Sequence, residues 1–302
     1  MDNDQEKAWK KAEKSIHTER VRLLESPRLE LLALLKQARE NIIVLLADTP
    51  TDYQKWRLPE LLKEIERVLD ALGDASSRAV AEATNKAWAG GLAAIDEPLA
   101  AAGFKATLPH LDTGQLMAMR VFMVDRIADI SVAAASRIRQ EIGLAGIGSQ
   151  SIHDTMMRVT EILGEGSKTR ATTIVRTELS RVWAYASHER ALQSGRIGVE
   201  MDKIWRRSGK KFSRLTHDIA DGQRVPVNKS FTVGTVKIRF PHDPKAPAAE
   251  VINCGCIALY RPRNIEGTLP DSRPFTAEEI SANPYKADLE ELRKQRVSAA
   301  KN

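Results

Sequence analysis

The residues best suited to chemistry lie late in the chain. Cys254 and Cys256 are its two cysteines, with Gly255 between them, and the run Cys256–Tyr260 alternates like a strand. Residues two apart on a strand share a face, so both thiols could meet one metal ion. His217 and His242 belong to the same stretch and could complete a tetrahedral zinc site. Two thiols are fewer than paired C-x-x-C motifs supply. Two alternatives therefore stand beside zinc: reduced cysteines packed as small hydrophobes, and a strained disulfide.

Arg214, His217, Asp218 and Asp221 could form an acid–base or nuclease cluster. Against this, His217 can bond a loop while Asp221-Gly222 makes a turn. No second carboxylate pair and no clear nucleophile accompany them. The G-x-x-G-x-G at Gly143–Gly148 follows a helical pattern rather than a strand, which makes it a poor phosphate loop. Walker A, H-E-x-x-H and G-x-S-x-G patterns are all missing from the sequence. The chain is read as non-enzymatic, with no catalytic residue assigned.

Positive charge is the broader signal. From Lys203 to Arg263 there are thirteen Lys and Arg against four Asp and Glu. Residues 1–150 hold 20 basic and 22 acidic residues, and residues 151–302 hold 26 and 18. Such asymmetry suits a protein surface on one part and a polyanion on the other. Lys203, Arg206, Arg207, Lys210, Lys211, Arg214, Lys237 and Arg239 are the candidate contacts to the phosphates of double-stranded DNA. On Val236–Phe240, alternation puts Lys237 and Arg239 outward. No recognition motif appears, so such binding would be nonspecific.

These groups must be positioned by a chain that is mostly helical. Polar helix is expected over Asp4–Glu25, ended or kinked by Pro27. A leucine-rich helix follows over Leu29–Leu46, stopped at Asp48-Thr49-Pro50. Another starts near Pro59 and is punctuated by Gly73, and an Ala-rich helix runs from Ala75 to Gly90 or beyond. Ile95–Leu111, with two prolines, reads as a loop. Asp112-Thr113-Gly114-Gln115 fits a capping box, opening a helix to about Ile142 closed by Gly143. Helices over Ile152–Leu163 and Lys168–Gln193 complete the series, the last with Gly195 as C-cap.

The expected fold class is α+β. A helical region, residues 1–166, is expected to make protein–protein contacts, with a partner or with itself. A small basic module of helix and antiparallel sheet, residues 167–263, comes next, and a loose C-terminal tail, residues 264–302, ends the chain. No apolar run approaches the roughly 20 residues that span a bilayer. The polar N-terminus does not read as a signal peptide. Two closely spaced cysteines suit a reducing compartment, so no membrane partner and a cytoplasmic origin are expected.

The order of motifs is more specific than any one of them. A helix carries Arg176-Thr177-Glu178, then come Gly195, a strand led by Trp205, Arg214-x-x-His217, Asp221-Gly222-Gln223, Phe231-x-x-Gly234, Phe240-Pro241-x-Asp243-Pro244 and Glu250-x-Ile252-Asn253-Cys254-x-Cys256. Over roughly Lys168–Leu259 this resembles the phage head morphogenesis family typified by Mu protein F-like minor head proteins. The resemblance implies a minor capsid protein near the portal vertex of a tailed phage or prophage head. Portal, capsid or scaffolding proteins and packaged DNA would be its partners, with several copies per head. Two departures stand out: Ser208-Gly209-Lys210-Lys211 lacks the acidic residue common before the Arg-x-x-His, and Gly255 replaces the usual arginine. The alternative is a metal-dependent nuclease or toxin-like domain carried in the head and using His217, Asp218 and the cysteines.

Overall fold

The computed structural model describes residues 3–48, 58–104, 108–147, 149–263 and 272–299. It is α+β. Five long or medium helices come first: α1 (Asn3–Ala47), α2 (Leu58–Ala101), α3 (Gly114–Gly146), α4 (Ile152–Ile162) and α5 (Glu165–Ser194). Strand β1 (Met201–Arg206), the short helix α6 (Leu215–Ile219), strands β2 (Arg224–Pro226), β3 (Phe231–Val233) and β4 (Val236–Ile238), helix α7 (Ala248–Val251) and strand β5 (Ile257–Pro262) make the module. Helices α8 (Ala277–Ala282) and α9 (Tyr285–Ala299) end the described chain.

The chain forms two compact units that interleave in sequence rather than following breaks at 166 and 263. One unit comprises Val21–Lys86 and Thr113–Leu179, and among the described residues its regular elements are helices. Its buried positions recur every three or four residues: Leu31, Leu35, Ala38, Ile42 and Leu46 on α1, and Leu61, Ile65, Leu69 and Leu72 on α2. Met123, Ile127, Ile130, Ala134, Ile138 and Ile142 repeat the spacing on α3. That spacing gives each helix one apolar stripe. Within this unit Arg176 of the Arg-Thr-Glu motif donates to Glu25 at 2.8 Å, and Glu178 is buried.

The other unit comprises Met1–Arg20, Ala87–Asp112 and Ser180–Asn302. Its sheet has the order β2-β1-β5, antiparallel throughout, with Met201 opposite Pro262 and Arg206 opposite Ile257. Asp202 faces Pro226 on the other edge. A second, two-stranded sheet joins β3 to β4, with Val233 opposite Val236 across the turn at Gly234, whose φ is 58°. One apolar cluster gathers Trp9, Ile95, Leu99, Ala191, Met201 and Tyr260. A second, under the candidate site, gathers Trp205, Phe231, Val233, Ile238, Cys254 and Cys256.

Several sequence-based boundaries change, mostly because packing outweighs local punctuation. Pro27 and Pro98 both lie inside helices and are buried; α1 does not end at Pro27, and α2 runs on to Ala101 where a loop was expected. Gly73 does not divide α2 either, and Gly90 and Gly91 continue it against α5. A Cβ on Gly90 would sit 2.2 Å from the Trp183 ring, and one on Gly91 2.6 Å from the Trp183 carbonyl oxygen. Glycine is what lets the two backbones come this close. The N-cap of α3 is Thr113, one residue beyond the Asp112 expected, and the Thr113 side chain makes no capping bond. Helix α5 ends through a short 3₁₀ turn at Gly195–Ile197, and Gly198, at φ 82°, takes the left-handed position. The helix stop read at Asp48-Thr49-Pro50 lies largely outside the described residues.

The tail is anchored from Ser272 onward. Lys286 and Glu279 of α9 and α8 are fully or almost fully buried, and Glu290 is buried too. Thr276 and Glu279 form a true capping box at the start of α8, as Ser151 and Asp154 do at α4. Both follow the Ser/Thr-x-x-acid pattern and were readable from sequence.

Candidate metal centre

Helix α6 and the turn before β5 bring together three ligand-type side chains from distant positions. His217, Cys254 and Cys256 are all buried, and their ligand atoms lie within 4.8 Å of one another. His217 Nδ1 is 3.5 Å from Cys254 Sγ and 3.4 Å from Cys256 Sγ. The Cys256 backbone N–H donates to Cys254 Sγ at 3.3 Å. Neither cysteine is in a disulfide, so of the alternatives posed by C-x-C the disulfide is not the one observed.

Local backbone chemistry sets this geometry. After the one-turn helix α7, Asn253 adopts φ 54°, the left-handed conformation Asn tolerates better than most residues. The chain thereby turns to direct Cys254 inward. Gly255 is needed for a close approach, since a Cβ there would lie 2.8 Å from Ser208 Cβ. Both cysteines precede β5 instead of starting it, so their convergence comes from a turn and not from strand alternation.

His217 is clamped on its other side. Its Nε2 is 2.7 Å from Glu250 Oε2, a contact the sequence reading missed although Glu250 opens the final motif. The edge of His217 meets Trp205, with ring centroids 5.3 Å apart at 84°. Burial opposes the charged imidazole, but hydrogen bonds to Cys254 and Glu250 outweigh it and raise the His217 pKa. The Cys254 pKa is lowered, chiefly because Cys256 donates to its sulfur. Cys256 is correspondingly raised, by that same bond and by burial.

His242 does not join the trio. It sits in a turn at φ 69°, is buried, and both ring nitrogens lack a hydrogen-bond partner among the described residues. Burial lowers its pKa to about 4. Of the four zinc ligands expected from sequence, three come together and His242 is not among them. Asp218 and Asp221 are committed elsewhere. Asp218 accepts from Ser213 Oγ at 2.8 and 2.7 Å, and Asp221 accepts the backbone N–H groups of Arg207 and Arg273. The expected Asp221-Gly222 turn is present, with Gly222 at φ 80°.

The basic candidates divide into two groups. Lys203 and Arg207 are each 1% exposed. Lys203 donates to the Val227 carbonyl at 2.9 Å and to that of Arg239, and Arg207 pairs with Glu279. Neither side chain reaches a phosphate, because each points into the module to satisfy interior acceptors. Arg206, Lys210, Lys211, Arg214, Lys237 and Arg239 are half-buried or exposed. Arg239 is held by Asp243 through bonds of 2.9 and 2.6 Å, and this pairing raises its pKa. The remaining five flank or face solvent, and Phe212, 78% exposed, stands among three of them.

A cleft of about 320 Å³ opens beside the trio, lined by Ser208, Lys210, Phe212, Arg214 and Asn253 together with the trio itself. At its rim Arg214 donates to the Ile252 carbonyl at 2.7 Å and Lys210 donates to that of Asn253.

No family model matches the chain, and no solved structure matches it. Among curated proteins it is similar to the NAD(+)--arginine ADP-ribosyltransferase EFV of Enterococcus faecalis, 28% identical over 114 residues, which is 36% of this chain and 22% of that one. It is also similar to the uncharacterized protein YqbB of Bacillus subtilis, 29% identical over 138 residues, 44% of each chain. The chain therefore spans less than half the length of either relative. One of the two is an enzyme.

Proposed function

We propose that this chain is a structural minor head protein of a tailed phage or prophage, placed near the portal and in contact with packaged DNA. The observation that carries the reading is the placement of its motif series. Trp205, His217, Cys254 and Cys256 are buried against one another, and Asp221 is buried bonding the Arg207 and Arg273 backbone, as the frame of one module. The motif residues thus specify a fold, which suits a part whose work is assembly. Support comes from that series and from the five accessible basic residues; neither relative's name mentions a head. The apolar stripes of the helical unit are buried within it, so its exposed apolar side chains, Val44, Val121, Phe122, Val132 and Met157 among them, would supply the surface for a portal, capsid or scaffolding partner. The test is direct. DNA-filled heads from an induced lysate of the source strain are purified and analysed by mass spectrometry. Several copies of the chain per head are expected, and its absence from filled heads rejects the reading.

A second reading is enzymatic, and the similarity to an ADP-ribosyltransferase is what favours it. The match covers 22% of that protein, a share that a module common to proteins of different activity would give. Incubating the full chain with labelled NAD(+) and an arginine-rich acceptor separates the two readings. No transfer is expected; transfer lost on removal of the module would move the assignment to the enzyme. The metal-dependent nuclease alternative is tested on duplex DNA with divalent ions, where no cleavage is expected.

A further inference from the structure

We infer that His217, Cys254 and Cys256 hold a zinc ion through three protein ligands, leaving a fourth, exchangeable position facing the cleft beside Lys210 and Arg214. This holds independently of the head-protein reading. The spacing is the first argument. A tetrahedral zinc with ordinary Zn–S and Zn–N bonds sets sulfur and nitrogen about 3.5 Å apart. The two Sγ–Nδ1 distances here are 3.5 and 3.4 Å. The ligands therefore already stand where an ion would hold them.

The second argument is the support of the imidazole. Glu250 engages Nε2 at 2.7 Å, which turns Nδ1 toward the sulfurs. A carboxylate on the far nitrogen is the usual means of fixing the tautomer and orientation of a metal-binding histidine. Two thiolates with an imidazole favour zinc over the hard cations magnesium and calcium. Trp205 and the surrounding apolar cluster keep the donors in place and restrict water on the inner side.

The open position follows from what the neighbours already do. His242 stays outside the group, Asp221 accepts two backbone N–H groups, and Asp218 accepts from Ser213 and Tyr285. The trio instead lines a cleft of about 320 Å³, room for a water or small anion. Lys210 and Arg214, fixed at its rim by the Asn253 and Ile252 carbonyls, favour an anionic fourth ligand. Structural zinc sites are closed by four protein ligands, whereas three with an open place admit an external one.

The full chain, stripped of metal under reducing conditions, is titrated with Zn²⁺ and with Co²⁺ as a visible reporter. One equivalent should bind, with thiolate-to-cobalt charge-transfer bands, and azide should shift the visible spectrum. Glu250→Gln should weaken binding by roughly 10–100-fold while circular dichroism stays unchanged. Cys254→Ser and Cys256→Ser should each weaken it further. No uptake overturns the inference, as does equal uptake by both cysteine variants, which would mean an adventitious ion only. A cobalt spectrum indifferent to azide also overturns it, since the fourth position would then belong to the protein.

Discussion

Arg207 and Glu279, 72 positions apart, meet in the interior as a two-toothed ion pair. Arg207 Nη2 lies 3.3 Å from Glu279 Oε2 and also donates to the Pro274 carbonyl at 2.7 Å. Its guanidinium lies 3.7 Å from the centre of the Phe275 ring. Burial opposes ionisation of Glu279, but its bonds from Arg207 and from the Thr276 backbone hold its pKa below the ordinary carboxylate value. Lys286 adds a second buried cation, 3.6 Å from Glu279 and 3.8 Å from Asp218.

The first prediction follows. Glu279→Gln leaves the buried Arg207 without its main counter-charge and should cost about 3–5 kcal/mol, as breaking one partner of a buried pair does. Urea unfolding of the full chain measures it. A loss under about 1 kcal/mol, the range of exposed pairs, would show that the tail is not held this way.

The glycines of the helices should respond with opposite signs. Gly90→Ala and Gly91→Ala force a methyl into Trp183 and its backbone, and each should destabilise by about 1–3 kcal/mol. Gly143, also helical, has nothing within 4 Å of the place a Cβ would occupy. Gly143→Ala should stabilise by roughly 0.5–1 kcal/mol. Equal effects at all three would contradict the close crossing of α2 and α5.

Stability should rise with pH in two windows. Burial first, and Arg239 second, lower the Lys203 pKa from 10.5 to about 7. Between those values the unfolded chain binds the extra proton, so stability increases as pH climbs from 7 toward 10.5. Lys203→Met should flatten this window. Burial also lowers His188 to about 3 and His17 to about 4, from 6.5. Their unfolded forms protonate first, so stability is lost as pH falls from 6.5 toward 3. Thermal melts across pH 3–10 of wild type and Lys203→Met decide both slopes.

Binding to DNA should be indifferent to sequence and steep in salt. Each phosphate neutralised adds about 0.9 to the log–log slope, so four or five contacts lose roughly two to three orders of magnitude between 50 and 200 mM. Arg206, Lys210, Lys211, Arg214 and Lys237 are the half-buried or exposed candidates, and phosphates would compete with their present partners, such as the Ile252 carbonyl for Arg214 and Thr232 for Lys237. Replacing Lys210 and Lys211 together should lower the slope by up to about two. A slope unchanged in that variant would assign the charge to a protein surface instead.

How much of this was visible in the sequence depends on the range of the interaction. The stripes of α1 to α3 were legible because three- and four-residue spacing is local. His217 and the cysteines were legible as a set by residue type alone. Glu250 was not, because an acid on a short helix reads as solvated until its histidine is placed beside it. Arg207 was assigned to DNA because its partner lies 72 residues later, beyond any local pattern. The helix end read at Pro27 and the loop read around Pro98 misled for the same reason: whether a helix runs on past a proline is decided by packing beyond the local sequence.

The interleaving of the two units has a consequence for synthesis. Arg20, near the start of the chain, donates to Ser180, 160 residues later, inside the unit that also contains Glu279 and Lys286. At roughly 5–20 residues per second, the ribosome needs on the order of ten to thirty seconds to deliver that partner. The helical unit, closed by Leu179, has its whole sequence first. Trp9, destined for an apolar cluster, meets Ile95 and Leu99 about halfway through that interval, but Ala191, Met201 and Tyr260 emerge only after it. The order of emergence thus makes the opening segment the part of the nascent chain most exposed to capture by a chaperone or by another copy.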